Sequence, residues 1–237
     1  MAEHRLALVV GANRGIGLGV VKAFLARGWD VIATARKPAE AIALNALASG
    51  SPGRVTVAAL ELNDPASLDG FAAAFDNGAL AGKVLDIALI NAGVAGPAHR
   101  SASQATEAET GALMMTNAIA PIRLARAVAP RVRAGTGVIA FTSSVMGSVA
   151  LNPGGHELYR ASKAALNSLT RGLYAEVSGR KLTVLSLHPG WVRTDMGGPG
   201  AAVSVEDSAR GMVDVMLAQQ GRHHHVYLDY QGKEIAW

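Results

Sequence analysis

The 237-residue chain is half hydrophobic and 17% charged, a balance that supports a sizeable core and excludes wholesale disorder. It has no cysteine, which excludes a disulfide scaffold, thiolate metal ligation and a cysteine nucleophile. The net charge of +4 raises nucleic acid as a partner, but the positive residues are scattered and aromatics make up only 5%, too few for base-stacking platforms. Arg123, Arg126, Arg131 and Arg133 read as the solvated face of one helix. An anionic small ligand is the better use of the charge. No secretory leader is expected, because glycines and Arg14 interrupt the first apolar run early. No membrane span is expected either, since the long uncharged segment 134–155 is rich in Gly, Ser, Thr and Pro. One cytoplasmic domain over 1–237 is the expected organisation.

In chain order, short apolar runs predict strands at 5–11, 30–35, 54–60, 84–91, 137–142, 182–187 and 225–230. Several are apolar on both faces, as strands of a covered parallel sheet must be. Helical periodicity predicts helices at 15–27, 38–49, 65–77, 104–133, 157–178 and 205–219. Asp64-Pro65 and Ser204 with Asp207 supply helix-start chemistry. The helix at 157–178 is apolar nearly all round, with Leu158, Ala161, Ala165, Leu166, Leu169, Leu173 and Val177, which predicts burial on two sides. Such alternation gives an α/β doubly wound Rossmann fold: a single parallel seven-stranded sheet with helices on both faces. Ligands of these folds lie beyond the carboxyl ends of the strands.

The first strand runs straight into Gly11-Ala-Asn13-Arg14-Gly15-Ile16-Gly17, and a helix follows. Glycines at a strand-to-helix turn let backbone N–H groups and the helix N-terminus approach a pyrophosphate. A plain turn is the alternative. An acidic residue at the end of the second strand would select a ribose 2′-hydroxyl. That strand instead ends Thr34-Ala35-Arg36-Lys37, so Arg36, Lys37 and Arg14 suit a 2′-phosphate, whose oxygens a guanidinium meets in pairs. NADP(H) is therefore expected over NAD(H), with an ordinary basic loop as the alternative.

Tyr159 and Lys163 stand four apart at the start of a helix, on one face. A cation beside a phenol favours the phenolate, which suits Tyr159 to protonate a carbonyl oxygen or deprotonate an alcohol. Pro121 lacks the N–H that would bond the Asn117 carbonyl, leaving it for a water; a simple kink is the alternative. Ser144 alone reads more often as a turn hydroxyl, with Ser143 as its rival.

Taken together, Gly11-x3-Gly15-x-Gly17, Asn91-Ala92-Gly93, Asn117, Ser144, Tyr159-x3-Lys163 and Pro189-Gly190 occur in an order that resembles the classical short-chain dehydrogenase/reductase family from Leu6 to Trp237. The stretch 187–198 and the Trp-terminated tail look closest to its C-factor and sniffer-type carbonyl reductase branch. The resemblance implies a catalytic tetrad. Ser144 polarises the substrate carbonyl, Tyr159 transfers the proton, Lys163 lowers the tyrosine pKa and holds the nicotinamide ribose, and Asn117 anchors a water. It also implies cofactor contacts from Gly11, Asn13, Arg14, Gly15, Ile16, Gly17 and Arg36, from Glu61 and Leu62 beside adenine, and from Asn91, Ala92 and Gly93 along the adenosine side. Tyr159, Lys163, Pro189, Val192 and Thr194 complete the set, the last two at the carboxamide. Val10 replaces a common Thr and Ile90 a common Asn, departures that cost supporting hydrogen bonds.

No metal is expected: three adjacent histidines, His223, His224 and His225, alternate faces along a strand and read as an exposed loop entering it. His156 reads as a surface-loop residue, whereas Met146, Trp191 and Met196 fit a pocket wall as well as core packing. Some ten residues separate Thr194 from the next helix, a short lid that implies an open pocket for broad or bulky substrates. The expected activity is NADPH-dependent reduction of a ketone or aldehyde to an alcohol, reversible in principle. An NADP(H)-binding sensor and a 3-ketoacyl thioester reductase are the alternatives. The partners expected are a small-molecule carbonyl or alcohol substrate and further copies of the chain, as a homodimer or homotetramer, with neither nucleic acid nor membrane.

Overall fold

The computed structural model describes residues 5–237, so the first four positions of the expected domain lie outside the described residues. Seven parallel strands among them form one sheet, in the order β3-β2-β1-β4-β5-β6-β7. They are β1 (Leu6–Val10), β2 (Asp30–Ala35), β3 (Val55–Ala59), β4 (Ile87–Ile90), β5 (Val138–Thr142), β6 (Thr183–His188) and β7 (His225–Asp229). β1, β4 and β5 are buried along their whole length, as their continuous apolar runs require. Alternating side chains feed two cores. Leu8, Val10, Ile90 and Phe141 pack on one side, and Val9, Leu89, Ala140 and Leu187 on the other. Strand order reverses between β1 and β4, which opens a crevice at their carboxyl ends.

The helices are α1 (Gly15–Ala26), α2 (Ile42–Ser49), α3 (Pro65–Asn77), α4 (Glu107–Met114), α5 (Ala120–Val128), α6 (Glu157–Val177) and α7 (Val205–Ala218). Asp64 caps α3 by accepting the Ala66 N–H at 3.0 Å, and Ser204 caps α7 by accepting that of Asp207 at 2.9 Å. A Cβ on Gly19 would fall 2.8 Å from Val205 Cγ1, so the missing side chain lets α1 lie close against α7. No helix among the described residues is long and apolar enough to cross a membrane.

Three expectations change. The helix at 104–133 is two helices, joined by a π turn at Met115–Ile119 and followed by a 3-10 turn at Ala129–Arg131; Pro121 and Pro130 cannot continue the regular bonding pattern. Arg123 and Arg126 stand exposed on α5 as expected, but Arg131 and Arg133 lie beyond it and do not share that face. Arg126 grips Glu176 with bonds of 2.8 and 2.5 Å, and Arg131 pairs with Asp76. Arg133 lies beyond the helix and donates to Asp86 at 2.6 Å. Lastly, α6 is not apolar all round: Ser162, Lys163, Asn167 and Thr170 are buried alongside Leu166, Leu173 and Val177.

His225 is also not an exposed loop residue, but opens β7 and bonds Thr170 Oγ1 at 3.0 Å. Burial pushes His188 and His225 down to about 4 from the ordinary 6.5. Between those values the unfolded chain takes up protons that the folded chain refuses, so stability is full above about pH 6.5 and is lost as pH falls toward 4. Urea unfolding should show a lower midpoint at about pH 5 than at about pH 7. His225→Gln should shrink that difference.

Candidate active site

The turn after β1 is built for close approach. Gly11 and Gly15 have φ of +73° and +53°, in the left-handed region that favours glycine. A Cβ on Gly17 would lie 2.2 Å from the Gly11 carbonyl oxygen, so only glycine lets α1 start there. Asn91 ties the turn to β4, its Nδ2 reaching the Gly11 oxygen at 3.5 Å while its Oδ1 accepts the Thr142 hydroxyl at 2.9 Å. α1 has no side-chain N-cap and no acidic residue in its first turn, and with the glycine turn before it this leaves its N–H groups to an anion. The cradle fits a pyrophosphate. Beside Val10 a hydroxyl reaches the turn from the neighbouring strand: Thr34 Oγ1 accepts the Gly11 N–H at 3.3 Å. Ile90 is simply core.

The basic candidates divide. Arg36 is exposed at the end of β2 and has no ion-pair partner among the described residues. Lys37 pairs with Glu40 at 3.0 Å. Arg14 caps the turn but pairs with Asp195 in the loop after β6. Asn13 is exposed beside it, and Ile16 is half-buried. Glu61 turns its carboxylate back to the Asn63 N–H at 3.2 Å, while Leu62 is buried.

At the other end of the crevice, β5 delivers Thr142, Ser143 and Ser144, and α6 delivers Tyr159 and Lys163. The Ser144 side chain lies near enough to the Tyr159 hydroxyl to favour the phenolate, and its Oγ accepts the Met146 N–H at 3.2 Å. Lys163 is 3% exposed; its Nζ donates to the Thr142 carbonyl at 2.8 Å and sits 5.8 Å from the Tyr159 ring centre. Burial pushes Tyr159 up to about 12, and pushes Lys163 down to about 8. Burial thus raises a phenol that Lys163 was expected to lower, and Ser144 is the influence that opposes it. A Cβ on Gly93 would meet Lys163 Nζ at 3.3 Å and Asn117 Oδ1 at 3.4 Å; glycine keeps that approach open, with Ala92 half-buried alongside.

Asn117 sits in the middle of the π turn. Its side chain is fully committed: Oδ1 accepts the Val94 N–H at 2.8 Å, and Nδ2 donates to the Val94 carbonyl at 2.9 Å and to Ser162 Oγ at 3.0 Å. Pro189 is buried and its carbonyl accepts the Ser208 hydroxyl at 2.6 Å. Val192 bridges Val203 and closes the lid loop at its base. Thr194 Oγ1 is used within that loop, accepting the Gly197 N–H at 3.2 Å.

Trp191 is 60% exposed and Met196 53%, so neither is core, and Val94, Val145, Val149 and Leu151 are also exposed. His156 is more than a loose surface residue. It begins α6 at a left-handed φ of +49°, and Arg100 Nη1 lies 3.3 Å from its Nε2. The other two adjacent histidines diverge: His223 points to the Gly135 carbonyl and His224 to Gln219.

Sequence reasoning missed Thr34, Asp195, Asn167 and Tyr227. Only Asn167 carried a signal, standing one further helical turn along the face of Tyr159 and Lys163.

Residues 5–202 match the family model described as short chain dehydrogenase. The C-signal protein of Myxococcus xanthus is 38% identical over 155 residues, 65% of this chain and 93% of its own length. A carbonyl reductase from Pseudomonas aeruginosa PAO1, solved in complex with NADP, superposes with a TM-score of 0.90 at 41% identity, covering 99% of this chain and 100% of that one. The carbonyl reductase Sniffer of D. melanogaster superposes at 0.89 with 29% identity, again over 99% and 100%.

Gly17→Ala should force the turn and α1 apart, because the new methyl meets backbone rather than a movable side chain. A loss of about 2 kcal/mol or more is expected in a thermal or urea melt, together with loss of dinucleotide binding by fluorescence titration.

Proposed function

The chain belongs to the short-chain dehydrogenase family, and on that premise we propose that it reduces ketone or aldehyde carbonyls with NADPH, reversibly, through Ser144, Tyr159, Lys163 and Asn117. The observation that carries the reading is half-buried Tyr159 beside the buried Ser144, with the buried Lys163 ammonium 5.8 Å from the phenol ring centre. When bound, the nicotinamide supplies the hydride to the carbonyl carbon. The Gly11–Gly17 turn holds the pyrophosphate, and exposed Arg36 meets the 2′-phosphate.

The chain's own groups supply the rest. Met146 occupies one lone pair of Ser144 Oγ, leaving the serine hydrogen to polarise the substrate oxygen. Tyr159, kept protonated by burial, gives its proton to that oxygen as negative charge develops there. Lys163 spends one N–H on Thr142 and keeps the others for the ribose hydroxyls. Asn117 acts through its main chain, since both side-chain atoms are taken by Val94. Its carbonyl, opposite a proline without an N–H, holds the relay water.

The apolar mouth of Trp191, Met196, Val149 and Leu151 suits bulky, poorly charged substrates. α6 leaves Leu158, Ala161, Ala165 and Leu169 incompletely buried, which supports assembly as a homodimer or homotetramer through that helix. A monodisperse monomer in sedimentation would remove this part of the reading. A cytoplasmic setting fits a chain without cysteine.

The decisive assay is NADPH oxidation with a panel of aldehydes, ketones, quinones and β-ketoacyl esters. Tyr159→Phe should lose about 10²–10⁴-fold in kcat while NADPH affinity is kept. Tight NADPH binding with no turnover on any compound would favour a nucleotide-sensing role instead. Arg36→Asp should weaken NADPH binding about tenfold or more and leave NADH nearly untouched.

A further inference from the structure

α6 presents Tyr159, Lys163, Asn167 and Thr170 at spacings of four, four and three, a single polar stripe against the sheet. The proposed chemistry uses the first two. One turn deeper, a second tyrosine arrives from β7. Tyr227 is fully buried, and its hydroxyl donates to the main-chain carbonyl of Ser144. That carbonyl also accepts the Gly147 N–H at 2.7 Å. The side chains of Asn167 and Ser143 lie beside the same phenol and act to lower its pKa. Ser143 Oγ donates to Asn167 Oδ1 at 2.7 Å, and Asn167 Nδ2 reaches the Gly147 carbonyl at 3.3 Å.

Packing alone does not call for this hydroxyl. A phenylalanine would fill the same volume, and a buried phenol costs free energy unless every polar atom is paired. Its partners all belong to the segment carrying Ser144 or to the helix carrying Tyr159. The ring is held from behind, 5.1 Å from that of Trp237. The Trp237 carbonyl in turn accepts the N–H groups of Val149 and Ala150 at 2.7 and 3.2 Å. The loop after Ser144 is therefore gripped at both ends from the β7 side.

We propose that Tyr227 is a positioning residue for the reaction: by fixing the Ser144 peptide plane it aims Ser144 Oγ at the substrate oxygen. The proposal rests on the tetrad reading. Ser144 Oγ accepts from Met146 N and lies beside the Tyr159 hydroxyl, so a tilt of its peptide disturbs the donor and its alignment with the proton source together.

Steady-state kinetics of wild type, Tyr227→Phe, Ser144→Ala and the double variant test it. Tyr227→Phe keeps the ring and should bind NADPH as wild type does. Its kcat should fall about tenfold with KM changed less than about twofold, the signature of an interaction felt in the transition state. In the Ser144→Ala background the same change should cost nothing further. Full kcat in Tyr227→Phe, or an equal loss in both backgrounds, would overturn the proposal. If Tyr227→Phe does not fold, Asn167→Ala carries the same test, with a kcat loss that must vanish when Ser144 is alanine. Undiminished turnover in both Ser144→Ala and Tyr159→Phe would instead sink the tetrad reading itself.

Discussion

The ammonium of Lys163 lies almost wholly out of water, where a cation is costly unless its protons are taken. The Thr142 carbonyl takes one of them. That carbonyl is free because β5 ends at Thr142, at the carboxyl edge of the sheet. To reach it, α6 must run close beneath the strand end, which Gly147 permits: a Cβ there would fall 2.9 Å from the Lys163 backbone. Gly93 clears the space above the ammonium in the same way. The placement of β4, β5 and α6 thus converges on housing one charge, and the phenol four residues earlier is positioned as a result.

Much of this was legible in the sequence because it is local. Continuous apolar runs marked all seven strands to within a few residues, and Asp64 and Ser204 marked two helix starts by their own short-range bonds. Tyr159 and Lys163 declared themselves by a helical spacing. The readings that failed shared a cause. Counting apolar residues around α6 hid a polar stripe whose partners lie on β5, β6 and β7, far off in sequence. Tyr227 meets Ser144 across 83 positions, and no window of periodicity contains both. Arg14 was expected to await a phosphate, but Asp195, 181 residues on, claims it in the folded chain.

Charge behaves similarly at the opposite end of the sheet. Asp86, buried at the foot of β4, accepts both the Leu6 N–H at 2.9 Å and Arg133. An arginine that looks like surface decoration in the sequence therefore neutralises a carboxylate beneath the first strand. Such pairs stabilise modestly when exposed and matter more when one partner is buried. Asp86 is the buried partner in this case.

Thr34 carries a different lesson. Val10 brings no hydroxyl to the turn after β1, yet the Gly11 N–H finds one. In a parallel sheet, neighbouring strands run side by side in fixed register, as Val9 and Ala33 do. The oxygen arrives from β2 instead. A backbone N–H at a strand end can be met from the neighbouring strand, so a motif read along one strand leaves such a partner out of view.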